Sequence, residues 1–356
     1  MKDRYYQLRN KAWDMPTGKQ KLTLLEESVR IADQYLTRQD AFQARMTYGE
    51  AALEAGHAER LLVSFAWCLS EFEKHPGEYS SYLLLWHYKW VVNQIWRFPQ
   101  IPTERIERIF EDFKAKCLEQ GYGLNAYYKY FHVYSLYNGR VEDAAKHYEK
   151  WRKARRDALS DCKACDQNDF GLYHVLMGRH KRALQSVKPI LDGRLTCAEV
   201  PQNTYGNILL SLLETGDFEQ AAAIAKKGQR LLDGQRFMND SGKFMEYFSA
   251  VDLAKAQRIY ERTIRYALDT KVDWNRFRYL LSARIFMQRW HSVRKHRKAL
   301  SAPEHVTLDW IVRETDRLAE VFDARNRNSY YTDLIVRKTE QVERLSRKYD
   351  TMRGEE

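Results

Sequence analysis

Residues 205–232, YGNILLSLLETGDFEQAAAIAKKGQRLL, decide the fold class. Tyr205, Ile208, Leu209 and Leu212 fall at i, i+3, i+4 and i+7, which is one face of a helix and cannot be the alternating face of a strand. The turn Thr215-Gly216-Asp217 follows. Glycine there supplies the left-handed backbone that lets the chain reverse. Beyond it, Ala221, Ile224, Ala225 and Gly228 mark the inner face of a second helix, and the small Ala221 lets the two helices approach closely. The segment therefore reads as a helical hairpin.

The pattern recurs upstream. Gly139/Ala144, Gly178/Ala183 and Gly216/Ala221 repeat the same glycine-to-alanine spacing, with the glycines 39 and 38 residues apart. A period of this length with two helical patterns per unit predicts a helical-hairpin array. Gly56, with Leu61, Phe65 and Cys68 on the helix after it, marks an earlier unit. One more hairpin fits between Gly56 and Gly139: Ser81–Trp96, a loop with Pro99 and Pro102, and a helix Thr103–Glu119 capped by Thr103. Downstream, Phe244–Leu253 with Lys255–Leu268, and Trp274–Trp290, read as degenerate units. A helix Leu308–Phe322 and a break at Asp323–Ser329 follow. A polar tail helix, Tyr330–Tyr349, comes last, with Leu334, Ile335, Val342 and Leu345 as its apolar anchors.

These units resemble the tetratricopeptide repeat. Gly171, Gly178 and Ala183 match three signature positions, and Gly139, Ala144 and Tyr148 match in the preceding unit, where His132 stands in place of a small residue. The resemblance implies an all-α, right-handed α-solenoid of about six or seven hairpins. Residues 1–40 would be capping helices, 41–300 the repeat array, and 301–356 a capping helix with its polar tail. The combination DCKAC, RLTCAEVP and VFDARN also resembles a set of bacterial tetratricopeptide-like proteins, which favours a bacterial origin.

The resemblance also implies a concave surface formed by the first helices of the hairpins, on which repeats of this kind take an extended peptide. Lys129, Tyr130 and Tyr137 are expected there, followed by Asn168 and Asp169, then Asn203 and Asn207. Asparagine can bond a peptide backbone, and tyrosine offers rigid contact area with a polar tip. Aromatic residues at helical spacing would otherwise be core. The two-lysine, two-asparagine clamp of some family members is incomplete, and Asp169 would oppose a terminal carboxylate.

Net charge is +11, and the stretch from Lys255 to Lys298 carries thirteen Lys or Arg against three acids. Arg258, Arg262 and Arg265 share a helical face; Arg289, Arg294, Lys295, Arg297 and Lys298 follow in RWHSVRKHRK. Such a face attracts phosphate or an acidic protein at long range, or is simply a solvated helix surface. Protein or peptide is the expected partner, with nucleic acid as the alternative.

Cys162 and Cys165 form a C-x-x-C at the start of one repeat, and Cys197 follows that repeat's second helix. An antiparallel hairpin brings both ends to one rim, so three thiols meet. They could hold a structural zinc ion with one further ligand, with Asp161, Asp166 and Glu199 nearby. Otherwise they form a labile disulfide or fill a helix-end junction as buried thiols.

Phosphate-binding loops of the GxGxxG and GxxxxGK[ST] kinds, GxSxG and HExxH are all absent from the sequence. A non-enzymatic chain without a cofactor is the expectation. No apolar run approaches the roughly 20 residues that span a bilayer, the N-terminus lacks a signal-type segment, and five cysteines do not form a secreted framework. A cytoplasmic protein without membrane contact is expected.

Overall fold

The computed structural model describes residues 1–232, 234–293 and 300–354. The fold is all-α, with no strand among the described residues. Two compact units are formed, Met1–Ser160 and Asp161–Glu356. The first contains α1 (Lys2–Trp13), α2 (Lys19–Tyr35), α3 (Arg38–Glu54), α4 (Ala58–Lys74), α5 (Ser81–Gln94), α6 (Thr103–Glu119), α7 (Asn125–Tyr137) and α8 (Val141–Lys153). The second contains α9 (Lys163–Leu176), α10 (His180–Leu191), α11 (Gln202–Thr215), α12 (Phe218–Gly228), α13 (Met238–Val251), α14 (Leu253–Asp269), α15 (Asp273–Val293), α16 (Leu308–Asn326) and α17 (Tyr330–Gly354).

Helices pack on their chain neighbours in pairs, α1 on α2 through α15 on α16. The glycines at the turns do what their positions require. Gly56, Gly139, Gly178 and Gly216 have φ of 85°, 77°, 67° and 83°, a region that side chains with a Cβ avoid. At Gly216 the reversal is closed by its own N–H on the Leu213 carbonyl, 3.2 Å, and by the Asp217 N–H on that of Leu212, 2.9 Å. The Asp217 side chain then accepts from the Gln220 N–H and starts α12.

The small residues set how closely the helices of a pair approach. Ala144, Ala183 and Ala221 are fully buried. A Cβ on Gly171 of α9 would overlap Cγ1 of Val187 on α10, and one on Gly228 would lie 2.5 Å from Cζ of Phe244. His132, which occupies a position expected to be small, is buried instead. Its Nδ1 donates to the Ala144 carbonyl across the α7/α8 pair at 2.8 Å. A polar link thus replaces close packing there.

Several helix boundaries differ from the sequence expectation: the helix expected from Phe244 to Leu253 runs from Met238 to Val251, and Leu253 opens the next helix. Thr103 is the first residue of α6, and Pro102 holds the cap position, where its fixed φ suits a helix entry. The helix from Leu308 runs on to Asn326, so the break contracts to Arg327–Ser329; Arg327 takes the left-handed conformation at φ 56°. The last helix extends to Gly354.

The tail helix is packed. Tyr331, Leu334, Ile335, Val342 and Leu345 are buried, and α17 lies across α11, α13 and α15. Lys338 pairs with the buried Glu246 of α13 at 2.8 Å. Lys348 donates to the terminal carbonyls of α11, those of Leu213 at 2.8 Å and Glu214 at 2.9 Å. A lysine at a helix C-terminus satisfies carbonyls that have no partner within the helix. No helix among the described residues is long and apolar enough to cross a membrane.

Candidate functional site

The hairpin α9/α10 brings the three thiols together. Cys162 is the N-cap of α9, and its sulfur accepts from the Cys165 N–H at 3.3 Å. Cys197 sits in the loop after α10, where its own N–H donates to the Val200 carbonyl at 2.9 Å and the Thr196 hydroxyl donates to the same oxygen at 2.9 Å. This small turn directs Cys197 back to the start of α9. Its sulfur lies 3.6 Å from that of Cys165, and all three sulfurs fall within 4.8 Å of one another. Such a group can hold a metal ion.

No fourth His, Cys, Asp or Glu atom joins the three at that spacing among the described residues. Asp166 is buried within α9, and Glu199 accepts from the Asn203 amide at 3.5 Å. Burial would raise Cys162, but the Cys165 N–H, the neighbouring thiols and the Ala164 N–H outweigh it and hold this thiol below its ordinary value. The remaining cysteines behave differently. Cys68 and Cys117 are buried in the first unit, and burial pushes both thiols up to about 12.

The residues expected to line a peptide surface separate into two groups. Lys129 and Tyr130 are buried, at 3% and 6% exposure, so little of either is available to a partner. The Lys129 ammonium lies 5.3 Å from the ring centre of Trp151 and 5.8 Å from that of Tyr130. Tyr137 is half-buried and stacked on Trp96, with centroids 5.7 Å apart. Asn168 is buried and accepts from the Thr204 hydroxyl at 2.8 Å and the Asn207 amide at 3.2 Å, which ties α9 to α11. Its own amide donates to Asp169 at 3.0 Å. Asn203 keeps partial exposure.

Asparagines at a spacing of 36 residues, Asn203, Asn239 and Asn275, occupy the first turns of α11, α13 and α15, each partly exposed. The Asn239 amide donates to Asn275 at 3.0 Å. The last two were not singled out from the sequence. Their constant spacing was the available signal, masked because the glycine and alanine markers fade after Gly216.

Arg258, Arg262 and Arg265 form an exposed row on α14, and Lys255 extends it. Arg289 lies apart from that row. It is half-buried on α15, and it donates from Nε to the Ser249 carbonyl at 2.7 Å and from Nη2 to the Ser346 hydroxyl at 2.5 Å. It borders a cleft of about 860 Å³ whose lining includes Ala222, Tyr247, Asp252 and Tyr349. Arg294, Lys295, Arg297 and Lys298 lie outside the described residues.

Compared with known proteins, the chain matches no family model and no curated protein.

Proposed function

We propose that this chain is a non-enzymatic interaction module, a right-handed solenoid of tetratricopeptide-like hairpins that takes a peptide or helix of a partner protein. The observation that carries this reading is the 36-residue register of Asn203, Asn239 and Asn275 on successive first helices. Amides repeated along an array can bond an extended peptide backbone independent of its side chains, although Asn239 and Asn275 are also linked to each other at 3.0 Å. The exposed row of Arg258, Arg262 and Arg265 would speed encounter with an acidic partner without fixing its identity.

The test begins with capture from lysate by the tagged full chain, with and without nuclease. A binding isotherm is then measured for the recovered protein. Replacing Asn203, Asn239 and Asn275 together by alanine should weaken binding about tenfold or more, since each lost hydrogen bond contributes roughly 0.5–1.5 kcal/mol. Helicity should not change. Undiminished affinity would remove the amide register from the reading.

The exposed arginine row also favours a second reading, contact with nucleic-acid phosphates. In that case capture disappears with nuclease, and affinity falls steeply with salt in proportion to the phosphates neutralised.

A further inference from the structure

We propose that Cys162, Cys165 and Cys197 form a thiolate-rich site for a soft divalent cation, zinc in the first place, with its fourth coordination position open to solvent. The ligand set selects the metal class. Three sulfurs with no carboxylate at the same spacing suit zinc and exclude the hard cations magnesium and calcium, which take oxygen. The spacing suits it too. Zinc–sulfur bonds of about 2.3 Å in a tetrahedron place two thiolates ~3.8 Å apart, and Cys165 and Cys197 stand 3.6 Å apart before any ion draws them in.

The site is built from two directions. Cys162 and Cys165 lie one helical turn apart at the start of α9, where backbone N–H groups point outward and favour negative charge. One of these, the Cys165 N–H, already bonds the Cys162 sulfur. Cys197 arrives from a separate loop held by the two bonds to the Val200 carbonyl. A lone buried thiol needs none of this, as Cys68 and Cys117 illustrate. Exposure of Cys162 leaves one side of the cluster toward water. Three protein ligands and a solvent molecule complete a four-coordinate zinc. On binding, each thiol gives its proton to solvent as its sulfur bonds the ion. The consequence is mechanical: the ion fastens the loop after α10 to the start of α9 and closes the rim of that hairpin.

The test uses the full chain, purified under reducing and oxygen-free conditions, and titrated with Co²⁺ and then Zn²⁺. One equivalent of Co²⁺ should give sulfur-to-cobalt charge-transfer absorption together with the visible bands of a tetrahedral centre, and Zn²⁺ should bleach both. Cys162→Ser and Cys197→Ser should each abolish stoichiometric uptake, while Cys68→Ser retains it; circular dichroism reports whether each variant is folded. The wild-type titration decides the matter even if a variant fails to fold. Absence of a one-to-one cobalt spectrum in the reduced wild type overturns the site. So does a Cys165–Cys197 disulfide in protein whose thiols are trapped at lysis, because it removes two of the three ligands. Uptake unchanged in folded Cys197→Ser protein overturns it as well.

Discussion

Arg344 of α17 grips both carboxylate oxygens of Glu214 at the end of α11, 130 residues away, with Nη1 2.8 Å from Oε2 and Nη2 2.6 Å from Oε1. Gln341 adds a third bond to Oε1 at 2.9 Å. Burial would raise the Glu214 carboxyl, but the bonds from Arg344 and Gln341 outweigh it and hold the group below the ordinary carboxylate range. A depressed carboxylate contributes stability that is present above its unfolded pKa and is lost as pH falls through its folded one. Wild-type protein should therefore lose more thermal stability than Glu214→Gln on acidification below about pH 4. The two should converge in acid. Because the Arg344 side chain is 55% exposed, the difference at neutral pH should be small. Thermal melts of both proteins across pH check this, and parallel curves would refute it.

Gly171→Ala should destabilise the second unit by about 1–3 kcal/mol, as overpacking does in a filled core. The new Cβ overlaps Val187, a buried side chain on the facing helix. Val187→Ala alone leaves a cavity, yet it removes the atom that clashes. The two changes together should cost less than the sum of each alone. A double-mutant cycle from denaturant unfolding reads that coupling.

At Gly216 the cost has another source. A Cβ there meets nothing within 4 Å, but φ is 83°. Gly216→Ala should cost about 1–2 kcal/mol through backbone strain alone. Gly216→Asn should cost less, since asparagine tolerates the left-handed region. Equal losses for the two variants would point to packing rather than conformation.

The thiols should divide by accessibility. Native, reduced, metal-free protein exposed to an alkylating reagent should be modified first at Cys162, which is exposed. Cys68 and Cys117, at 0% and 1% exposure, should react only on unfolding. Peptide mass mapping over time distinguishes the order.

Sequence alone determined the hairpins, because their signals are local. A left-handed turn admits glycine almost exclusively, and a helical face shows itself within two turns. So Gly139, Gly178 and Gly216 mark reversals, and Ala144, Ala183 and Ala221 mark buried contacts. The meeting of Cys162 and Cys165 with Cys197 was also legible, since a hairpin returns the chain to the rim where it began. Tertiary structure decided which way amphipathic side chains turn. Tyr130 and Lys129 carry both an apolar body and a polar tip, and only the packing of the helices buries them. It also decided where the tail belongs. Nothing near Tyr330 reveals that α17 packs against Glu214, because that contact depends on charges and carbonyls more than a hundred residues distant. The chain's own order specifies local geometry; partners far apart in sequence are fixed by burial, charge neutralisation and the demand of helix ends for hydrogen bonds.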